Sequence, residues 1–268
     1  MFKRISASLA LAALAASPLA VRTATAADYD EGQWVTTFTA GAGLITSNTF
    51  QSPASAALAD LGRLDGSLAG QSATMRVDRL SFHDAFSVGP TLGIESGYLS
   101  NSGVEPYIRL DRSQLRGRNV RIGEMTSAAL ASPAAITANF DDLTSWGLDL
   151  GARYFFNEGG AARPYLAGYV GAERSDPLYA HFAVSGISAD GGRQTLLPRE
   201  TLFNAGVETG VSYQVSDQAA LRFSVGADYR PARHEDSTAF ESLGLGPVRI
   251  ADQRWSVPID LGLTYRFE

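Results

Sequence analysis

The side chains best suited to acid–base chemistry near neutral pH are three histidines: His83, His181 and His234. His83 precedes Asp84, and His234 precedes Glu235, Asp236 and Ser237, so both segments hold the residue types of an activated nucleophile. His181 is followed by Phe182 and Ala183, which offer no such partner. All three fall in segments read as loops or loop edges, where no rigid element sets their geometry. Asp141-Asp142 and Glu235-Asp236 could take Ca²⁺ weakly, but neither pair has the ligand number or spacing of a dedicated loop. The chain has no cysteine, which excludes disulfides, thiolate catalysis and cysteine metal sites. The expectation is no catalytic residue, no metal site and no cofactor.

A second set of charges is more orderly. Glu95, Arg109, Asp111, Asp149, Arg153, Glu173, Glu208, Arg222, Asp228, Arg230, Asp260 and Arg266 occupy the polar phase of alternating segments. The clearest segment runs from Trp255 to Phe267, where Trp255, Val257, Ile259, Leu261, Leu263, Tyr265 and Phe267 alternate with small or polar residues. Strict alternation is the period of a strand with two unlike faces. At about 3.3 Å per residue and a tilt near 40°, thirteen residues climb about 33 Å, enough for the apolar band of an outer membrane.

Seven further segments repeat the pattern: about 33–45, 85–99, from 106, 143–156, from 164, 202–215 and 219–231. Short polar turns at 100–105, 157–163 and 216–218 alternate with long connections at 46–84, 117–141, 175–200 and 232–252. Short turns on one side and long loops on the other describe a transmembrane barrel with its loops outside the cell. A charge facing lipid costs about 2–4 kcal/mol near the midplane, so the twelve charges are placed in the lumen. A soluble lipocalin-like barrel has the opposite polarity. The expected fold is all-β: an eight-stranded antiparallel transmembrane up-and-down β-barrel. A hairpin hidden in the first loop, with 74–82 extended, would make ten strands. Eight strands leave an interior just wide enough for side chains to fill, so the charges are read as a packed polar network.

Location is read from the N-terminus. Lys3 and Arg4 precede an apolar run, and Ala24-Thr25-Ala26 supplies a cleavage site, so 1–26 is expected to be a signal peptide and 27–268 the barrel. Without Lys3, Arg4 and Arg22 the chain keeps 19 basic against 28 acidic side chains, a net charge near −9. Such a balance argues against nucleic-acid binding. Within the first loop, Leu58, Leu61, Leu64 and Leu68 have the spacing of a short amphipathic helix over 55–70. The second loop holds an Ala-rich stretch, 128–138, with little charge.

The closing Gly262-Leu263-Thr264-Tyr265-Arg266-Phe267, with Gly147–Phe155 and Arg163-Pro164-Tyr165-Leu166, resembles the small outer-membrane barrels grouped as OmpA-, OmpX/Ail- and OmpW-like. The resemblance implies localisation in the cell outer membrane, with outer-membrane lipids including lipopolysaccharide as neighbours. It further implies that Leu263, Tyr265 and Phe267 form a recognition signal for the barrel-assembly machinery. Glu268 departs from the usual terminal aromatic, and no peptidoglycan-binding domain follows. The lipid A deacylases, which resemble this fold, carry a His-x-Ser pair that His181 does not match. The expected role is therefore non-enzymatic: envelope integrity, binding of an extracellular ligand or host surface through the loops, or passage of small hydrophobic compounds. The alternatives are a narrow porin and a lipid-modifying enzyme.

Overall fold

The computed structural model describes residues 32–46, 49–156, 160–187, 190–231, 234–251 and 254–267. The expected signal peptide and Glu268 lie outside the described residues. Eight strands follow the alternating segments: β1 Gln33–Ile45, β2 Pro90–Leu99, β3 Val104–Gly117, β4 Leu143–Phe155, β5 Ala162–Ser175, β6 Glu200–Gln214, β7 Ala219–Arg230 and β8 Arg254–Arg266. Each pairs antiparallel with its chain neighbours, and β8 pairs with β1 from Val35↔Arg266 to Ile45↔Ser256, which closes the sheet. The expected eight-stranded up-and-down barrel is the observed one.

Alternation sets its polarity. Outward positions carry exposed Phe38, Leu92, Leu110, Leu148, Leu150, Val170, Val207, Phe223 and Leu261. The next residues along the same strands, among them Thr37, Asp149, Arg153, Glu208 and Arg222, point inward and are buried. Aromatic rings mark both ends of the apolar belt. At the turn end Trp34 packs on Tyr98, Tyr154 on Phe156 and Tyr265 on Phe267, with ring centroids 5.2–5.4 Å apart. At the loop end Tyr229 packs on Trp255 at 4.8 Å, and Trp146 stands exposed. Such girdles are the signature of a wall in contact with a bilayer.

The long connections do not stray. They converge into a folded head above the loop end. Strands Asp190–Leu197, Leu178–Val184, Ala134–Phe140, Asn119–Thr126, Ala73–Val77 and Ala54–Leu58 form one six-stranded sheet in that order. A smaller sheet joins His234–Ser237, Val248–Ala251, Thr49–Gln51 and Leu80–Ser81. Between them lies an apolar core that includes Phe50, Met75, Phe82, Ile122, Ile136, Phe140, Phe182 and Phe240.

The head corrects several sequence expectations. Residues 55–70 are not a helix. They form the strand Ala54–Leu58 and two single-turn 3₁₀ helices, Leu61–Arg63 and Gly66–Leu68, capped by Asp60 and Asp65. Gly62, Gly66 and Gly70 break longer helical propagation, and the leucines still pack inward as one-turn anchors. The extended stretch in 74–82 is real only at Ala73–Val77 and Leu80–Ser81. Both belong to the head, so the barrel count stays at eight. The strand expected from 85 is interrupted: Phe82–Ala85 is a helical turn, Phe86–Ser87 is extended and pairs with Arg116 and Gly117 of β3 while Phe86 is buried among the rings of the head, and β2 runs on from Pro90. The Ala-rich stretch is explained by Ala134, Ile136 and Ala138, which face the head core from one strand.

Candidate functional site

The lumen is where the charged side chains meet. Arg153 on β4 is its centre and is 1% exposed. Its Nη1 donates to Glu95 (2.9 Å) and Glu105 (2.5 Å), and its Nη2 to Glu95 (3.1 Å) and Glu208 (3.2 Å). Arg222 on β7 reaches the same two acids from the other wall, 2.7 Å from Glu95 and 3.3 Å from Glu105. One layer nearer the loop end, Arg109 on β3 donates to Asp149 at 2.8 and 3.0 Å and to Glu208 at 3.2 Å. Glu208 therefore joins the two layers. Asn204 completes Asp149 with a bond of 2.9 Å.

At the loop end Glu173 is clamped by Arg230 and by Arg254 (2.8 Å), while Arg230 also lies 3.4 Å from Asp228. Arg266 sits at the turn end, where it donates to the Asp217 carbonyl at 3.5 Å. Asp111 and Asp260 face the lumen without an ion pair among the described residues. They line a cavity of about 100 Å³ shared with Arg109, Asp149 and Asp228.

Aromatic rings fill the gaps between these layers. Arg153 lies over Tyr107 and Tyr165, 4.6 and 4.9 Å from the ring centroids, and Arg109 lies 4.2 Å over Tyr169. The rings fit because the facing strand carries glycine. A Cβ at Gly151 would stand 2.4 Å from the Tyr107 ring, and one at Gly206 the same distance from Tyr169. Cation–π contacts and paired carboxylates together offset much of the cost of burying these guanidinium groups.

All twelve residues expected in the lumen face it, and the lumen also contains charges that sequence reasoning missed. Glu105, at the end of the turn expected over 100–105, is the second residue of β3 and 1% exposed. Arg254 lies just before the recognised end of the last alternating segment, and Arg163 opens onto the Phe155 ring at 4.5 Å. Tyr165 and Tyr169 were hidden because the small outward residues Gly168 and Ala172 blurred the two faces of β5. Leu263, Tyr265 and Phe267 all lie exposed on the outer wall at or just beyond β8.

The histidines do not assemble a site. His83 is exposed on its helical turn, 3.7 Å from Asp84. The Ser81 hydroxyl donates to Asp84 at 2.6 Å in a capping box, which holds the Asp84 carboxyl below the ordinary carboxylate range. The hydroxyl is therefore engaged with the acid rather than with His83. His181 is exposed in the head, paired across strands with Asn139 and Arg193. His234 lies on the short strand His234–Ser237. Asp141 is held by Arg193 at 2.7 Å, and Asp142 accepts from Gln114 and from the Gly117 amide. Asp236 lies 3.8 Å from Arg249. Among the described residues, no three His, Asp or Glu side chains are grouped to hold a metal ion.

A closed ring of eight strands, charged within and apolar without, decides the architecture. The chain has the fold of a small outer-membrane β-barrel. No family model and no curated protein matches it. Solved structures do. The Neisserial surface protein A is 16% identical over 89% of this chain and 100% of its own, with a TM-score of 0.39. The outer membrane protein OprG from Pseudomonas aeruginosa is 16% identical over 87% of this chain and 96% of its own, with a TM-score of 0.41. Ail, the attachment invasion locus protein of Yersinia pestis, is 13% identical over 88% and 99%, with a TM-score of 0.33.

Proposed function

We propose that this protein is a non-conducting, non-enzymatic outer-membrane barrel whose work is done outside the cell, by the folded head binding an extracellular ligand or surface. In this reading the leader 1–26 is removed, the barrel-assembly machinery reads Leu263, Tyr265 and Phe267, and the mature chain stands among outer-membrane lipids.

The observation that carries the proposal is the division of labour between lumen and loops. The lumen is spent on ion pairs: Arg153 and Arg222 cross it between Glu95 and Glu105, and the cavity beside them is lined by Arg109, Asp111, Asp149 and Asp260 among others. The buried ion pairs that span it argue against passage of small hydrophobic solutes. The loops, by contrast, build a second hydrophobic core and present a broad sheet. A head with its own core is more than a shield over the barrel mouth, and rigidly displayed loops are where scaffold proteins place recognition.

The test exploits the absence of cysteine. Single variants Ser67→Cys in the head and Ser216→Cys in a turn are treated with a membrane-impermeant maleimide on intact cells. Labelling of the head site alone is expected; labelling of the turn site alone overturns the orientation. Purified protein in planar bilayers should show no discrete conductance steps, and stable steps would establish a channel instead.

A further inference from the structure

The outward-facing positions of the eight strands are almost free of charge. Among the described residues the exceptions are Arg112 and Arg116 on β3 and Arg174 on β5, all at the loop end. No acid shares that face, although the chain as a whole carries a net charge of −6. Three cations on the lipid-facing wall of an acidic protein require a local reason.

Register supplies one. Trp146 on β4 is the cross-strand partner of Arg112 on one side and of Arg174 on the other. The three side chains form one row across adjacent strands, spanning two inter-strand spacings, roughly 10 Å. The Arg112 guanidinium lies 5.9 Å from the Trp146 ring centroid, and the ring is 49% exposed. Neither arginine makes an ion pair with a described residue. The acids beyond the strand ends are taken up elsewhere: Asp142 by Gln114 and the Gly117 amide, Asp176 by Arg199 at 3.2 Å. One step toward the midplane, the same three strands present Leu110, Leu148 and Ala172. The row is therefore the boundary between an apolar platform and an unneutralised pair of cations.

We infer that Arg112 and Arg174, flanking Trp146, bind the phosphate of an anionic glycolipid in the outer leaflet, whose acyl chains lie on Leu110 and Leu148. Two guanidinium forks match phosphate geometry, and an anion between them relieves their mutual repulsion. Trp146 fits the headgroup level, where its ring meets apolar chains and its N–H meets water. An arginine costs little at this depth, about 0–1 kcal/mol near the interface, so the pair can be kept for binding. The inference rests on the outer-membrane reading above and adds the lipid class and the residues that hold it.

The experiment uses the mature protein in neutral detergent micelles, with native mass spectrometry counting bound lipid. The probes are bis-phosphorylated lipid A and the same lipid with both phosphates removed. The wild-type chain should prefer the phosphorylated lipid by about tenfold or more, the scale of charge-assisted hydrogen bonds. The double variant R112Q/R174Q should bind both probes alike, and R112K/R174K should keep only part of the preference, because the charge remains while the planar fork is lost. R249Q, on the exposed head, should behave as wild type. Equal binding of the two probes by the wild type, or a preference that survives in R112Q/R174Q, overturns the assignment. A chain that is labelled at the head on intact cells yet shows no phosphate preference fails this inference alone. A chain that does not enter the membrane fails both.

Discussion

Arg153 and Glu95 meet across the lumen in a two-pronged pair, Nη1 to Oε1 at 2.9 Å and Nη2 to Oε2 at 3.1 Å, with both side chains almost fully buried. Three carboxylates, on Glu95, Glu105 and Glu208, converge on this guanidinium, with Arg222 sharing the first two and Arg109 the third. Removing it leaves buried acids without sufficient counter-charge, which is far more costly than never having built the pair. Arg153→Ala should lower barrel stability by about 3–5 kcal/mol. Denaturant unfolding in micelles, followed by the gel mobility shift between folded and unfolded barrel, measures it. A loss below about 1 kcal/mol would mean that water replaces the guanidinium without cost.

The same geometry predicts what a leak would look like. Arg153 and Arg222 supply both cations that cross the narrow layer, while Glu95, Glu105 and Glu208 remain when they are truncated. R153A/R222A, in the fraction that keeps the folded mobility, should gain a small conductance selective for cations. Rings of carboxylates select cations by their field. Anion selectivity in planar bilayers would place the path elsewhere.

How much of this was legible in the sequence depends on what each residue had to be compared with. The barrel strands could be read because lipid and lumen impose opposite demands on successive residues, as in Trp146, Leu148 and Leu150 against Gly147, Asp149 and Gly151. The lumen charges followed from the same phase, and only those near strand ends escaped: Glu105 beside a turn and Arg254 at the edge of a long loop. The head was not legible. Phe50, Phe82, Phe140, Phe182 and Phe240 come from all four loops, each among small or polar neighbours, and the alternating stretches in the loops, such as Ala134–Phe140 and Leu178–Val184, are too short to say what they pack on. Their common core exists only once the barrel brings the four loop ends together. The leucines of 58–68 misled for a related reason: three- and four-residue spacing suits consecutive capped turns as well as a helix.

Phe50 offers the cleanest test that the head is a folding unit in its own right. Its ring meets those of Phe82, Phe86 and Phe140 at 5.0, 5.4 and 5.6 Å, each at a steep angle, and it is fully buried. Truncation of such a ring costs about 3–5 kcal/mol. Phe50→Ala should therefore make the head sensitive to protease on intact cells while the barrel keeps its folded mobility. Unfolding of both together would show that barrel and head form one cooperative unit.

Asp60 sets a pH dependence confined to the head. Its Oδ1 accepts the Gly62 and Gly70 amides, both at 2.8 Å, pinning the two ends of the segment that holds the 3₁₀ turns. These amide bonds hold the carboxyl below its ordinary value of 3.8. A carboxylate whose folded value is depressed stabilises at neutral pH and loses that contribution as acid protonates it, here below about pH 4. The side chain is fully exposed, so the effect is local and screened by salt. Amide hydrogen exchange over 61–71, corrected for the intrinsic pH dependence of exchange, should rise below pH 4 in the wild type by roughly fivefold, the scale of a lost cap. Asp60→Ala should exchange fast at every pH. Asp60→Asn, which still accepts through its amide oxygen but does not titrate, should stay protected and flat across the same range. A pH step that persists in Asp60→Asn would assign the transition to another acid of the head.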